Sequence, residues 1–259
     1  MDLDHFLQRF LATFPEDRHE RPAPAGDFAD PCPDVTGMAS PRKLQLLNLA
    51  VSCLPEDGSE CYFEVGTYQG KSLIAALLGQ RHCSVVACDN FSEFGSSSAT
   101  DNATTLRANL ERHGLADQVR FYAEDFQTLL PRWAAAGLPR IGVYFYDGAH
   151  DELSHYAAIR SAETLLADAA VVVIDDWRQA PDSQSYAEAG TQRALRESAH
   201  DWNVRWVLPA RYNGDRELWW NGVAVLTFRR RRPESSRTIV EACPWKSAVG
   251  ADGPAQVPR

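Results

Sequence analysis

Three carboxylates and one imidazole stand directly after two apolar runs of the sequence. Asp147 and His150 belong to the segment YDGAH after the run IGVYF, and Asp175 and Asp176 follow the run AAVVVI. Carboxylates gathered at one place repel one another unless a cation lies among them, and Mg²⁺ prefers oxygen ligands. The sequence therefore predicts a Mg²⁺ site formed by Asp147, Asp175 and Asp176. Helix capping or loop hydrogen bonding without a metal is the alternative.

His150 adds a group that can accept a proton, three residues after Asp147. Imidazole titrates near neutral pH and can remove a proton from a hydroxyl group, which a bound metal ion would make more acidic. We therefore expect His150 and Asp147 to be the catalytic residues. The alternative for His150 is a hydrogen bond in the turn before the next helix.

A glycine-containing loop, Glu64-Val65-Gly66-Thr67-Tyr68-Gln69-Gly70-Lys71-Ser72, follows another apolar run and leads into a helix. Glycines permit a tight turn and close approach of a ligand to the backbone. Val65 stands where a P-loop needs its first glycine, so Lys71 is predicted to lie on a helix surface rather than to bind phosphate. The missing GxGxxG spacing disfavours a nicotinamide-dependent oxidoreductase.

Two further acids follow predicted strands and could hold a nucleoside. Asp89 ends the run CSVVACD, where a carboxylate can accept hydrogen bonds from both ribose hydroxyls. Asp125 ends QVRFYAED, where it could accept from an adenine amino group while Phe126 packs on the ring. Loop capping by Asp89 and helix capping by Asp125 are the alternatives, and capping and binding can coexist.

The elements that carry these residues alternate between short apolar strands and amphipathic helices. The predicted strands cover 61–66, 83–89, 118–125, 141–148, 169–176, 203–209 and 222–230, and the predicted helices cover 41–54, 70–80, 102–113, 126–136, 152–166 and 186–200. Uniformly apolar strands separated by helices indicate a parallel sheet covered on both faces. We expect a doubly wound, mostly parallel, seven-stranded α/β fold of the Rossmann-like type, ending in an antiparallel hairpin.

Three segments divide the chain. Residues 1–40 are predicted to form an N-terminal helix followed by an irregular lid or linker, 41–229 the main domain, and 230–259 a mobile tail. Phe6, Phe10 and Phe14 recur at helical spacing and could cover this chain's own core or a neighbouring subunit, so a homo-oligomer remains open.

Several of these motifs occur together in the order of one enzyme class. The series Glu64-x-Gly66-x-x-x-Gly70, Asp89, Glu124-Asp125 and Asp147 resembles the class I S-adenosylmethionine (SAM) dependent methyltransferases, from about residue 40 to 229. The resemblance implies that Gly66 and Gly70 line the methionine end of SAM, Asp89 holds the ribose, Asp125 lies near the adenine and Glu64 lies at the base. The cofactor-binding set that we expect is completed by Thr67, Ser72, Asn90, Phe126 and Asp147.

The segment YDGAH, with Asp175 and Asp176 after it, resembles the metal-dependent O-methyltransferases of the catechol type and of the bacterial macrolide-sugar type. The resemblance implies that Asp147, Asp175 and Asp176 hold the metal. Asp176 stands where the catechol type has Asn, and His150 stands where that type carries a catalytic Lys. O-methylation is the expected reaction. A metal-independent N- or C-methyltransferase and a non-catalytic SAM- or nucleoside-binding protein are the alternatives.

Composition restricts the partners. The 259 residues carry a formal net charge of −9, which disfavours a nucleic-acid surface and favours a small-molecule acceptor. Six scattered cysteines without a CxxC pair indicate a reducing cytoplasm, and neither a basic leader segment nor a membrane-length apolar run is found. Trp177, Tyr186, Trp219 and Trp220 could form an aromatic wall around the acceptor, and packing in the core or at the rim is the favoured alternative for each of them individually.

Overall fold

The computed structural model describes residues 1–22, 28–93, 96–178, 180 and 182–231, with the backbone alone described at 96–100. The strands are β1 Glu60–Val65, β2 Ser84–Cys88, β3 Val119–Tyr122, β4 Arg140–Tyr146, β5 Leu166–Ile174, β6 Asp201–Leu208 and β7 Val223–Arg229. The helices are α1 Leu3–Thr13, α2 Pro41–Val51, α3 Lys71–Leu77, α4 Ser96–Arg112, α5 Phe126–Leu129, α6 Glu152–Glu163 and α7 Tyr186–Arg196, with 3₁₀ turns at Glu16–Arg18 and Leu130–Arg132.

The strands form one seven-stranded sheet in the order β3-β2-β1-β4-β5-β7-β6. Strands β1 to β5 pair in parallel, whereas β7 is antiparallel to both β5 and β6. The chain builds outward from β1 to β3 and then returns to the other side of β1 with β4, so the strand order reverses between β1 and β4. In such sheets the crevice at the carboxyl ends of these strands binds ligands. The predicted fold class is confirmed.

Both faces of the sheet are buried, which explains why its strands are so uniformly apolar. On β1, Tyr62 points into the core formed with α1 to α4, while Phe63 and Val65 point into the opposite core formed with α5 to α7. The side chains of neighbouring residues therefore enter different layers, as the strand repeat requires.

Several predicted helices differ from the observed ones at their ends, and two of them differ most. Helix α4 begins at Ser96 rather than near 102, because its serine- and threonine-rich first turns carry little apolar periodicity. The helix predicted over 126–136 ends after Leu129 and continues only as the 3₁₀ turn Leu130–Arg132. Pro131 lacks the N–H donor that a longer α-helix would need at that point.

Helix α1 packs on this chain's own core. Phe6 and Phe10 are fully buried, and the Phe10 ring stacks on Trp206 of β6 with ring centroids 3.8 Å apart. Phe14 continues the aromatic contacts to Trp219, with centroids 5.2 Å apart. The three phenylalanines therefore cover the sheet of their own chain.

The described part of the irregular segment before α2 is fastened by two buried cations. Arg42 donates to the carbonyl oxygens of Arg18 and Arg21, both at 2.8 Å. Lys71 donates from Nζ to Asp30 Oδ2 at 2.8 Å and also to the carbonyl oxygens of Cys32 and Val35. The prediction of Lys71 as a helix-surface residue is wrong, because the segment folds back over α3 and buries it.

Within the described residues, no helix has the length and apolar character needed to cross a membrane. The described cysteines, Cys32, Cys53, Cys61, Cys83 and Cys88, are free thiols. The mobile tail predicted for 230–259 lies outside the described residues beyond Arg231.

Replacing Phe10 by Ala should lower the free energy of unfolding by about 3 to 5 kcal/mol, because it removes a fully buried ring and leaves a cavity against Trp206. The neighbouring Leu11→Ala, at a position 43% exposed, is the control and should change stability little. Urea unfolding of both variants measures the difference. Equal losses at the two positions would contradict the packing described for α1.

Candidate active site

A cavity of about 370 Å³ opens at the carboxyl edge of the sheet where the strand order reverses. This volume falls in the range of small-molecule sites. Its wall includes most of the residues predicted from the sequence: Gly66, Asp89, Asn90, Asp125, Phe126, Asp147, His150, Asp175 and Asp176.

The backbone is strained around this cavity. Four non-glycine residues of the described chain have a positive φ, namely Tyr68, Phe91, Asp176 and Trp220, and all four line the cavity wall. Left-handed backbone costs free energy for residues with a Cβ and is concentrated at functional sites in proteins. The strain therefore marks the same edge of the sheet as the predicted residues do.

Gly66 forms the floor where β1 and β4 end. Its φ is +84°, and a Cβ placed on it would lie 1.8 Å from the carbonyl oxygen of Asp147. Its N–H donates to Cys88 O at 2.9 Å, and the N–H of Asp147 donates to Val65 O at the same distance. Only glycine allows the two loops to approach so closely.

Four residues predicted to bind the cofactor lie beside or beneath the cavity rather than in its wall: Glu64, Thr67, Gly70 and Ser72. Gly70 begins α3 at φ +92°, and its missing side chain leaves room for Leu106. Thr67 and Ser72 line a small adjoining cavity of about 30 Å³. The Oγ1 atom of Thr67 is buried there and has no hydrogen-bond partner among the described residues.

Glu64 is fully buried below the floor. Its carboxylate accepts hydrogen bonds from the Tyr62 hydroxyl and from Ser72 Oγ, the latter at 2.8 Å. Burial raises the pKa of Glu64 to about 7, although these two hydrogen bonds act in the opposite direction. Glu64 therefore supports the glycine loop from beneath.

Asp89 joins the loops that follow β1 and β2. Its Oδ2 accepts from the backbone N–H of Tyr68 at 2.7 Å, and its Oδ1 accepts from that of Phe91 at 2.6 Å. Burial raises the pKa of Asp89 despite these bonds. Each carboxylate oxygen has more than one acceptor position, so loop capping leaves capacity for a ligand hydroxyl.

Asn90 and Asp125 join the loop after β2 to the loop after β3 in a similar way. Asp125 caps α5 by accepting from Gln127 N–H at 2.8 Å, and its other oxygen accepts from Asn90 Nδ2 at 3.0 Å. Phe126 is buried beside them and lies edge-on to Tyr146. The capping role expected as an alternative for Asp125 is present, on the wall of the cavity.

Asp147, His150 and Asp176 converge at the other end of the cavity. Each offers a ligand atom, and these atoms all lie within 4.8 Å of one another. His150 Nε2 lies 2.7 Å from Asp176 Oδ2, and the other oxygen of Asp176 accepts from Asn221 Nδ2 at 2.6 Å. The structure therefore brings together Asp147 and Asp176 of the predicted metal set, with His150 rather than Asp175 as the third member of the group.

Asp175 is held by a partner that the sequence analysis did not include. Lys43 of α2 and Asp175 are both almost fully buried, and Lys43 Nζ forms an ion pair with Asp175 Oδ2. The Oδ1 atom of Asp175 is buried and accepts no hydrogen bond from the described residues. One oxygen of this carboxylate is thus engaged and the other is unsatisfied.

The crowded charges shift the ionisation of the cluster. Burial, together with the charge of Asp175, raises the pKa of Asp147 well above its usual range. The hydrogen bond with Asp176 raises the pKa of His150 to about 9, whereas burial acts in the opposite direction. At neutral pH His150 in this arrangement carries a proton, which it must release before it can act as a base.

The donor set fits a divalent cation. A positive charge would be stabilised here for three reasons. The Oδ1 atom of Asp175 has no hydrogen-bond partner among the described residues, and the pKa of Asp147 is raised. The ligand atoms of Asp147, His150 and Asp176 also converge on one place. Carboxylate oxygens suit Mg²⁺, and an imidazole nitrogen also suits transition ions. Lys43 already supplies one positive charge to this cluster.

Of the four aromatic residues considered for the acceptor wall, Trp220 alone lines the cavity, and the core-packing alternative holds for Trp177 and Trp219. Trp177 and Trp219 are core residues, 1% and 0% exposed, because they fill the two layers beside the sheet. Tyr186 is exposed at the start of α7 and is not among the residues of the cavity wall, whereas Trp220 is. Met38 also lines the cavity and was not predicted.

Sequence reasoning missed Lys43 and Asn221 as well. The signal for Lys43 was a charged residue among the apolar positions of α2, whose neighbours Leu44, Leu46 and Leu47 are all fully buried. Asn221 follows Trp220, whose positive φ turns the chain into β7. Neither residue belongs to a motif with recognisable spacing.

The strand order and the position of the cavity are those of the Rossmann-like methyltransferase fold. Residues 63–177 match the family model described as a methyltransferase domain, which spans β1 to the end of the Asp175-Asp176 turn. The chain therefore contains a methyltransferase domain, and the predicted enzyme class is confirmed. No curated protein sequence matches the chain significantly.

Solved structures show the same fold at low identity. The O-methyltransferase of Bacillus cereus in complex with SAH is 18% identical, with 88% of this chain and 90% of that chain covered and a TM-score of 0.56. Cofactor-bound Rv0187 from MTB is 21% identical over 87% and 90%, with a TM-score of 0.54. TomG of Streptomyces achromogenes, an O-methyltransferase of tomaymycin synthesis in complex with SAM, is 17% identical over 76% and 83%, with a TM-score of 0.53.

Replacing Gly66 by Ala should destabilise the protein by at least about 2 kcal/mol more than Gly79→Ala does. Both glycines have a positive φ, +84° and +79°, so each substitution introduces backbone strain. Only the Cβ at Gly66 would collide with backbone, whereas nothing lies within 4 Å at Gly79. Chemical denaturation measures both losses, and equal losses would refute the close approach of the two loops.

Stability should also depend on the proton of Glu64. Its pKa is raised by burial from 4.5 to about 7, so the folded state holds this proton more tightly than the unfolded chain. The bound proton stabilises the folded state by an amount on the order of 3 kcal/mol. This stabilisation is fully present below about pH 4.5 and is lost as the pH rises through about 7. Unfolding of the protein and of Glu64→Gln at pH 5 and pH 8 should show a larger decline for the former; parallel declines would contradict the assignment.

Proposed function

We propose that the protein transfers the methyl group of SAM to a hydroxyl oxygen of a small-molecule acceptor, assisted by a divalent cation, Mg²⁺ in the first instance. The observation that carries the proposal is the meeting of Asp147, His150 and Asp176 within 4.8 Å in the same cavity as Asp89 and Asp125. One end of the cavity thus offers acceptors for a nucleoside, and the other offers ligands for a cation and its substrate.

SAM supplies an electrophilic methyl group when it is bound. Asp89 would accept from the ribose hydroxyls with the oxygens that already hold Tyr68 and Phe91 in place. Asp125 and Asn90 form a hydrogen-bonded pair next to Phe126. This pair would offer its polar groups to the edge of the adenine ring. The B. cereus enzyme and TomG were crystallised with SAH and SAM, and their shared fold supports this cofactor.

The acceptor would lie over Asp147, between the cofactor end and His150. A divalent cation bound by Asp147, Asp175 and Asp176 would orient an acceptor hydroxyl and make it more acidic. His150 in its neutral form is the residue that can receive the hydroxyl proton, and the main task of the site is to align oxygen and methyl group for in-line attack. Trp220 and Met38 line the cavity and offer apolar surface to the acceptor.

A metal-independent methyltransferase acting on nitrogen or carbon is the second candidate. The buried ion pair between Lys43 and Asp175 favours it, because a cation is already present in the cluster. In that case the remaining carboxylates would only position the acceptor.

We also propose a cytoplasmic location, which the free thiols of the described cysteines support.

Two isosteric variants should separate the two halves of the site. Asp147→Asn should abolish cation-dependent methyl transfer and leave SAM affinity nearly intact, because it removes one ligand charge. Asp89→Asn should weaken SAM binding by about tenfold or more and leave cation binding in place, since it removes the ribose acceptor. Asp117→Asn, at an exposed position, is the control.

Isothermal titration of chelator-treated protein with SAM, with and without Mg²⁺, measures both affinities, and an acceptor screen of hydroxyl compounds measures turnover. Full turnover in the metal-stripped enzyme would move the assignment to the metal-independent candidate. SAM binding with no acceptor in the screen would favour a non-catalytic binding protein. Failure to bind SAM at all would refute the proposal.

A further inference from the structure

Lys43 has no role in the methyl-transfer proposal, yet it is among the most deeply buried charges of the described chain. Its side chain is 1% exposed and its Nζ contacts Asp175 Oδ2, while Met38 O lies 3.4 Å away. Asp175 lies next to Asp176 at the cation end of the cavity. The ammonium group therefore sits behind the same carboxylates that would bind a divalent ion.

The position of Lys43 is fixed by its helix. Ser40 caps α2 by accepting from the backbone N–H of Lys43 itself. One turn further, Asn48 Nδ2 donates to three carbonyl oxygens at the end of α3, at 2.9 to 3.1 Å. Helix α2 is thus held to α3, and Lys43 approaches Asp175 from a rigid element rather than from a loop.

Charge balance explains why an ammonium group should stand here. Burying a lone carboxylate is costly, and a buried ion pair offsets that cost only with good contacts. Asp176 has His150 as its partner and Asp175 has Lys43. Only Asp147 lacks a basic partner among the described ion pairs of this cluster. Most of the negative charge of the cluster is therefore compensated by basic residues of the same chain.

We propose that Lys43 is the resident counter-cation of the carboxylate cluster and that it sets how tightly the cluster binds a divalent ion. This inference rests on the proposed function, because the cluster is the proposed cation site. Lys43 engages Asp175 Oδ2 and leaves only Oδ1 for another ligand. Its positive charge repels an arriving cation, so the cluster keeps its shape without metal and binds metal less tightly.

The first test measures cation affinity directly, without turnover. Mn²⁺, followed by its electron paramagnetic resonance signal, and Mg²⁺, followed by calorimetry, are titrated into chelator-treated full-length protein. Lys43→Gln keeps a hydrogen-bond donor and removes the charge, and Lys43→Met removes both. Each should bind Mn²⁺ at least about tenfold more tightly than the unaltered protein, because a nearby positive charge is gone.

Lys71→Met is the matched control. Lys71 is also a buried lysine paired with an aspartate, Asp30 at 2.8 Å, but its partners lie in the irregular segment and not in the cluster. We expect this variant to lower the unfolding temperature and to leave Mn²⁺ affinity unchanged. A gain in affinity in the control as large as that in Lys43→Gln would show a non-specific loosening and overturn the inference.

The second test measures stability in chelator. Lys43→Met should unfold at a lower temperature than the unaltered protein, because it leaves Asp175 buried and unpaired, and Mn²⁺ should restore more of the loss than it adds to the unaltered protein. The double variant Lys43→Met/Asp175→Asn removes the orphaned charge and should unfold at a higher temperature than Lys43→Met alone. It also provides a folded sample if the single variant does not fold.

The outcomes for Lys43 and for the proposed function are separate. Unchanged or weaker Mn²⁺ binding in both Lys43 variants, or no binding in any protein, overturns the role of Lys43 even if SAM binds. Tighter Mn²⁺ binding in the variants without SAM binding supports the counter-cation and refutes the methyl-transfer proposal. SAM titration of the same samples distinguishes the two results.

Discussion

The parallel pairing of β1, β4 and β5 imposes the constraint on which the site depends. Because these strands run in the same direction and in adjacent positions, Asp147 and Asp175 must emerge side by side at one edge of the sheet. Their charges cannot remain close in a partly buried crevice without compensation. Among the described residues, Lys43 and His150 provide the compensating positive charge, Lys43 at Asp175 and His150 at Asp176.

The same polar groups hold the loops and face the cavity. Asp89 fixes the loop after β1 to the loop after β2, and Asp125 fixes the start of α5 while it receives Asn90. A wall built in this way is organised before any ligand enters, so less ordering remains to be done on binding. The positive φ angles at Tyr68, Phe91, Asp176 and Trp220 indicate the conformational cost of that organisation.

The N-terminal segment contributes to the cavity wall. Arg42 and Lys71 fasten the described parts of the segment before α2, and α1 covers β6 through the stack of Phe10 on Trp206. Met38 is thereby kept at the cavity, whereas the contact of α2 with α3 keeps Lys43 against Asp175. Residues outside the matched methyltransferase domain at 63–177 therefore contribute to the site.

Short stretches of the sequence were enough to predict the sheet, the edge at which the candidate site lies and most of the polar residues there, because apolar periodicity and strand-end acids are local signals. The sequence also indicated that Asp125 could cap a helix, since capping depends on adjacent residues. Other features appear only in the folded chain: Lys43 pairs with Asp175, Lys71 is buried, Trp177 and Trp219 are core residues, and Thr67, Gly70 and Ser72 lie off the main cavity. Those facts depend on which distant segments meet: Lys43 and Asp175 are 132 residues apart, and no local pattern of charge or hydrophobicity encodes such an encounter.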